Sequence, residues 1–417
     1  MLNSRDGRAG WPSDLAAEAC ATHASPVHSR PVARGQEIED VRAPQPGGDG
    51  AALPSGLLAL LRCLECGGPV RLVHLSERPG YPELGPDGRL HCEACGESYP
   101  VVAGTARMLP RAMRSRLAVD YPLAREAFAE KPGEDAATSG DRSHDVKQRT
   151  ADSFAYEWQR FGALREQWRR NFVDYMQPHT PESFAGRLVL DVGTGSGRHA
   201  FHAAELGAQV VAVDIGRSID VARGNLPPAV LTVQADAEHL PFAPGTFDFV
   251  MSIGVLHHLP DPQRGLERIV PLARPGGHVH IYLYWVPEHP WHVRVLRLVS
   301  AARRVTVRLP HRVLHALCVP LAALLALTVV WPYRVLRRVP RLRRLAGAFP
   351  LKTYADYPFG VLVNDQFDRL SAPLERRYTR AEAVAMLQGA GLTEVRVLAN
   401  HGWVGDGQVA VLHSVPA

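Results

Sequence analysis

The run Val189-Leu-Asp-Val-Gly-Thr-Gly-Ser-Gly-Arg-His-Ala200 carries the strongest chemical signal in the chain. A short apolar stretch leads into glycines at Gly193, Gly195 and Gly197, and these lead into a helical pattern. Backbone that bends tightly and lets a ligand approach its amides favours residues without a Cβ. A second apolar stretch ends at Asp214, about twenty residues on, where a carboxylate can accept from ribose hydroxyls. Two ligand classes compete for such a site. A dinucleotide loop favours Gly-x-Gly-x-x-Gly, which makes room for a pyrophosphate. Here an acid, Asp191, immediately precedes the glycines. It would repel a diphosphate, and it suits a ligand bearing ammonium and sulfonium charge.

The second chemical signal is the cysteines. Of six, four form the pairs Cys63-x-x-Cys66 and Cys92-x-x-Cys95, while Cys20 and Cys318 stand alone. Four thiolates in two such knuckles suit tetrahedral zinc, and the pattern points to a reducing compartment rather than a disulfide framework. Redox activity is the rival reading. The gap between the knuckles is long for a zinc ribbon, and Glu77–Gly88 reads as a hairpin extension. So small a segment has little core, so a structural zinc would supply its folding energy.

The elements that must position these residues follow from the pattern around them. A chain of 417 residues suits two or three domains. Residues 1–52 read as a disordered tail, 55–110 as the ribbon and 111–150 as a linker with a helical stretch near Leu117–Glu130. Phe154, Trp158, Phe161, Leu164 and Trp168 then recur at helical spacing. Apolar runs at 187–191, 209–214, 230–234, 247–253 and 278–284 alternate with helical stretches. The fold class expected is α/β, a mostly parallel sheet covered on both faces. Residues 151–285 would form the first part of this core and 379–417 the rest, with a helix at 379–390 and strands at 394–398 and 408–413. Residues 286–378 would be a helical insert or cap.

With those pieces in place, Arg187–Tyr284 resembles the class I methyltransferases that use S-adenosyl-L-methionine, especially the small-molecule group that includes ubiquinone-type enzymes. The matching segments are Asp191-Val-Gly-Thr-Gly-Ser-Gly197, Val211-Ala-Val-Asp214, Ala235-Asp-Ala-Glu-His-Leu-Pro-Phe242, Phe247–Ser252 with Val255-Leu-His-His-Leu259, and Leu272-Ala-Arg-Pro-Gly-Gly277. The resemblance implies a Rossmann-like sheet with its last strand antiparallel. It implies a cofactor set of Asp191, Gly193, Thr194, Gly195, Gly197, Asp214, Ile215, Asp236 and Ala237. In that set the loop cradles the methionine part, Asp214 holds the ribose, Asp236 accepts from the adenine amino group and the Ala237 amide donates to the ring. Tyr156 and Trp158 would lie over the cofactor as an N-terminal lid. Pro275-Gly276-Gly277 would turn into the fifth strand. The segment Ser98–Leu109 resembles the ribbons of methyltransferase activators, with Ala106 where a proline is usual.

Methyl transfer is an in-line displacement, so catalysis comes chiefly from holding nucleophile and methyl together. A hydroxyl acceptor also needs a base, and His257 and His258, at the carboxyl end of the fourth strand, are the candidates; their alternative is a structural loop. Asn364–Asp368 and Arg376–Thr379 are candidates for acceptor contacts, although Thr379 with Glu382 also reads as a capping box.

Net charge is only +5, too small to imply a nucleic-acid partner by itself. The excess is local: from 289 to 355 the chain has thirteen Lys and Arg residues and no acid. Within that stretch 313–331 is almost uninterrupted apolar sequence, long enough to cross a bilayer. Three readings stay open: a cap over an apolar acceptor pocket, a helix lying on an anionic membrane through 290–350, and a true span. The expected function is methyl transfer to a small or lipid-like acceptor, at oxygen. The alternatives are an RNA methyltransferase whose ribbon grips its substrate and a non-catalytic cofactor binder. The N-terminus shows no secretory pattern, so a cytoplasmic and possibly membrane-associated enzyme is expected.

Overall fold

Runs of Val, Leu, Ile and Phe bounded by glycine or proline make the centre of the molecule. The structure, a computed structural model, describes residues 53–76, 86–121, 142–164, 167–287, 290–339 and 352–411. The expected tail lies outside them. Strands β5 (Leu188–Val192), β6 (Gln209–Asp214), β7 (Leu231–Gln234), β8 (Phe247–Ile253) and β9 (Ala273–Leu283) pair in parallel in the order β7-β6-β5-β8-β9. Both faces are buried: Leu190, Val211 and Val250 lie in one apolar cluster and Val189, Val210 and Phe249 in another. That explains why these strands read as continuous apolar runs rather than as alternation. Helices α5 (Arg198–Glu205), α6 (Ser218–Asn225) and α7 (Pro262–Ile269) connect them.

The sheet closes with β10 (Leu392–Ala399) and β11 (Trp403–Val409), and β11 runs antiparallel to both β9 and β10. The last strand therefore begins five residues before the expected 408. Gly402, Gly405 and Gly407 hide it from a propensity reading, and packing requires all three: a Cβ at Gly402 would come within 2.6 Å of the Leu283 carbonyl. A Cβ at Gly405 would come within 2.8 Å of Leu387 on α12 (Arg380–Gly389), and one at Gly407 within 2.8 Å of Leu392. Pro275-Gly276-Gly277 falls inside β9, where the register slips between Phe247 and Phe249, and so does not precede the strand.

The cysteine segment is not a separate bead. After a short helix α1 (Ser55–Leu58), β1 (Val70–Ser76), β2 (Asp87–Cys92), β3 (Ser98–Val102) and β4 (Thr105–Arg107) form an antiparallel meander. Strand β4 then pairs in parallel with β7, giving one sheet of eleven strands. Thr105 and Thr232 share a 2.9 Å hydroxyl bond across this seam, and the fully buried Arg107 donates to Gln234 and Asp220 at 3.2 and 2.7 Å.

The expected linker is helical at both ends, and its residues 122–141 lie outside the described residues. It holds α2 (Arg111–Asp120), which starts six residues before the stretch expected near Leu117–Glu130, most of which lies outside the described residues, and the start of α3 (Arg142–Phe161). Helix α4 (Gln167–Tyr175) follows. The insert contains α8 (Pro290–Thr306), then α9 (His311–Leu325), a π turn (Ala326–Val330) and α10 (Trp331–Leu336) in one continuous helix, and finally α11 (Phe359–Ser371). Leu314, Cys318, Ala322 and Val330 pack on Leu362, Val363 and Phe367 of α11 in a small core of their own.

Candidate functional site

A cavity of about 930 Å³, partly open to solvent, lies at the carboxyl ends of β5 to β8, roofed by α3. The glycine loop forms its floor. Gly193 and Thr194 donate to the Val213 carbonyl at 2.8 and 2.9 Å, binding the loop to the next strand. Gly193 and Gly195 both have positive φ, +78° and +59°. A Cβ at Gly193 would meet Val255 at 2.2 Å, and one at Gly195 would meet the Trp158 indole at 2.8 Å. The loop thus needs glycine for conformation and for room.

Asp214 reaches back under the loop. Its two oxygens accept from the Gly195 and Gly216 amides at 3.0 and 2.9 Å, and burial pushes its carboxyl up to about 6 against those bonds. Asp236, at the end of β7, meets Lys147 at 2.9 Å and His239 at 3.0 Å. Burial would raise its carboxyl, but the His239 and Lys147 contacts outweigh that and bring it down to about 2. Ile215 and Ala237 also face the cavity.

Three of the expected cofactor residues sit elsewhere. Asp191 is fully buried behind the loop rather than in the cavity wall. It accepts from the Thr194 hydroxyl at 2.7 Å, and burial, with the Asp214 charge nearby, pushes it up to about 7. Gly197 caps α5 and abuts Leu226 and Ala222, so it shapes the turn without facing the ligand space. Tyr156 is on the far side of α3, its ring 5.2 Å from Phe367 and 5.3 Å from His311, whereas Trp158 does line the cavity.

The two histidines separate as well. His258 lines the cavity beside Phe154, with ring centroids 5.0 Å apart. Its Nδ1 lies 2.6 Å from the Leu374 carbonyl, an acceptor only, so Nδ1 carries a proton and the neutral ring has its lone pair on Nε2. His257 has no exposed surface, neither ring nitrogen has a hydrogen-bond partner, and the ring lies 4.0 Å from that of Tyr284. Burial holds it well below the ordinary imidazole value, so it is a neutral packing residue and not a candidate base.

The polar segments expected to meet an acceptor are committed to neighbours. Asn364 donates to Glu157 at 2.9 Å, and Asp368 accepts from Tyr284 at 3.1 Å. Arg377 binds Glu375 and the Trp285 carbonyl, and Thr379 with Glu382 forms a capping box. Lys147 is a site residue that sequence reading missed. Stepping back along α3 from Trp158 by four, three and four residues reaches Phe154, Ala151 and Lys147, all of them on the cavity face.

The four ribbon cysteines converge, their sulfurs all within 4.8 Å of one another. Cys63 lies 3.6 Å from Cys95, and Cys66 lies 3.5 Å from Cys92. Tetrahedral zinc with bonds of about 2.3 Å sets its sulfurs about 3.8 Å apart, so the set fits that ion. The two knuckles are built alike. Gly67 and Gly96 donate to the carbonyls of Cys63 and Cys92, both with positive φ.

A second cluster lies off the cavity. Asp406 on β11 accepts from His179 at 2.7 Å, His280 at 3.2 Å and His278 at 3.3 Å. His280 also donates from Nε2 to the Tyr175 carbonyl at the end of α4. Burial would raise the Asp406 carboxyl, but the three imidazoles hold it far below the usual range.

Comparison with known proteins matches residues 190–281 to the family described as a methyltransferase domain. An uncharacterized methyltransferase from Mycobacterium sp. (strain JLS) is 34% identical over 161 residues, covering 36% of this chain and 62% of the relative. A ubiquinone biosynthesis O-methyltransferase from Pectobacterium carotovorum subsp. carotovorum (strain PC1) is 40% identical over 103 residues, 24% of this chain and 43% of the relative. Among solved structures, a putative methyltransferase from Bacillus halodurans aligns at 31% identity over 28% of this chain and 54% of its own, with a TM-score of 0.26. The chain spans less than two thirds of the length of each of these relatives.

Proposed function

We propose that this chain, whose residues 190–281 are a class I S-adenosylmethionine-dependent methyltransferase domain, transfers a methyl group to an oxygen of a small or lipid-like acceptor. The observation that carries the reading is the pairing of Asp214 and Asp236 on neighbouring strand ends, in one cavity lined by the glycine loop.

The bound cofactor would supply an electrophilic methyl on a sulfonium, open to in-line displacement. The chain's own residues do the rest. Each Asp214 oxygen spends one lone pair on a loop amide and has another to accept from a ribose hydroxyl. Asp236, kept ionised and fixed by Lys147, accepts from the adenine amino group. Trp158 and Phe154 roof the cavity and keep water from the reacting atoms. His258 Nε2 takes the proton of the acceptor hydroxyl, while the Leu374 carbonyl holds the ring in the tautomer that allows it. Reaction at oxygen draws support from the ubiquinone O-methyltransferase relatives.

In the same reading Cys63, Cys66, Cys92 and Cys95 hold a structural zinc as thiolates, and four such thiols favour a reducing, cytoplasmic setting. The RNA reading is weaker, because the arginines of the insert are interleaved with exposed Leu and Val.

Calorimetry on zinc-replete protein tests the core claim. S-adenosylmethionine gives heat and NADH gives none. Asp214→Ala weakens the former about a hundredfold, the value of two charge-assisted hydrogen bonds. Heat from NADH alone overturns the reading. Label transfer from methyl-labelled cofactor into a lipid extract then separates an enzyme from a binder.

A further inference from the structure

The helix His311–Leu336 is the one segment among the described residues long and apolar enough to cross a membrane, yet its fold is that of a helix with two different sides. One side is spent. Leu314, Cys318 and Ala322, at four-residue steps, pack on α11. That neighbour carries Asn364, Asp365, Asp368 and Arg369, which no hydrocarbon would solvate, so α11 cannot follow the helix into a bilayer and a span would give up this packing. The other side is open. Val313, Leu317, Leu321, Leu324, Trp331 and Val335 follow at steps of three, four and seven residues and are all exposed, with Leu327 beside them at 69%. Helix α8 repeats the device with Trp291, Val295, Leu298 and Val305, Leu298 being 71% exposed. Apolar stripes of this extent on a soluble surface mark an interface.

The charge around them says what covers them. Arg294, Arg297, Arg304 and Arg312 are exposed on the same helices, Arg308 and Arg338 in the turns that follow α8 and α10, and none of the six forms an ion pair among the described residues. The insert supplies no acid from 289 to 355. A protein partner of ordinary composition does not require unpaired arginines alternating with leucines, whereas an anionic bilayer takes both at once. Its acyl boundary receives Leu and Trp, and its phosphates receive guanidinium. We infer that the outer faces of α8 and α9–α10 dock in the interface of an anionic lipid bilayer, as a monotopic contact. The same insert packs through α11 on α3, the helix that roofs the cavity, so docking would bring the cavity to the source of an apolar acceptor. Docking itself does not depend on the methyl-transfer reading, and the two are measured separately.

The test is sedimentation of the full chain with vesicles of phosphatidylglycerol and phosphatidylcholine in equal parts, against phosphatidylcholine alone. The chain is expected to bind the anionic vesicles, to lose about a hundredfold on pure phosphatidylcholine or in Arg304→Gln/Arg308→Gln/Arg312→Gln, and to weaken with salt. Leu317→Gln/Leu324→Gln/Leu327→Gln is expected to abolish binding while circular dichroism and cofactor heat stay as in the parent. Four outcomes overturn the proposal: parent chain left in the supernatant; the leucine variant binding like the parent; retention through an alkaline carbonate wash, which means a span; or a parent dimer that the leucine variant turns to monomer with no vesicle binding in either.

Discussion

Adjacent in sequence, His257 and His258 have opposite surroundings, and the proposed roles follow that difference. His258 faces the cavity with one nitrogen tied to a carbonyl and the other available, whereas His257 is sealed against Tyr284. His258→Gln is expected to lower kcat by two to three orders of magnitude, within the range of general-base loss, with cofactor affinity unchanged. His257→Gln should instead lower the unfolding midpoint; equal kcat losses in the two variants would refute the assignment. The buried acids make a second expectation. Asp191 and Asp214, pushed up to about 7 and about 6, are partly protonated in the empty site at mildly acid pH. A cationic ligand prefers their charged forms and pulls both values down when it binds. Cofactor affinity should therefore rise as pH goes from about 5 through 7 and level off above, by roughly tenfold for each unit of displacement. Asp191→Asn should flatten the upper part of that rise, as read by calorimetry across pH. The glycines and the two strand-end acids were legible in the sequence because loop and ribose chemistry constrain local spacing. Lys147 was not, because its partner Asp236 is 89 residues away and its helix begins in a stretch that reads as a polar linker.

Elements are joined in this fold by polar contacts as well as by cores. Asp406 ties three of them: β11, the middle of β9 through His278 and His280, and the chain after α4 through His179. Nothing local marks it, since it sits in Trp403-Val-Gly-Asp-Gly, a segment whose glycines read as a turn. The strand assignment failed there for the same reason: the glycines serve the packing of α12 and β10 rather than a bend. Asn at this position keeps one acceptor oxygen but sets an NH2 donor where the other stood, so a buried imidazole N–H loses its partner, which typically costs about 1–3 kcal/mol. Asp406→Asn should therefore lower the urea midpoint at pH 7 substantially. The sign with pH follows from the direction of the shift. A carboxyl held low in the folded state contributes stability that is present above its unfolded value of about 4 and is lost as pH falls below that. The gap between parent and variant should be widest near neutrality and close on acidification. A gap that widens below pH 4 would show that Asp406 is not held ionised by its histidines.

At the scale of the whole molecule the consequential feature is that the ribbon and the cofactor-binding core share one sheet. A ribbon drawn from spacing alone looks like an independent module, because three residues of β4 pairing with a strand 127 positions away leave no periodic trace. The pairing matters for the site, since β7 runs from that seam directly into Ala235 and Asp236. The Met108 amide bonds the Gln234 carbonyl at 2.8 Å, two residues before Asp236. Strands hydrogen-bonded without a gap are expected to unfold together. Denaturant unfolding should show one transition for ribbon and core, which cofactor at a hundredfold excess over its Kd stabilises by about 2.7 kcal/mol. With zinc on Cys63, Cys66, Cys92 and Cys95 as proposed, chelation should move that same transition down, because the thiolates would lose the ion that reconciles their charges and β4 its support. Cofactor affinity should fall with it, although no cysteine touches the cavity. A chelated protein that melts its ribbon in a separate early step, with core midpoint and cofactor affinity unmoved, would show that the seam carries no coupling and that the ribbon is only attached to the sheet edge.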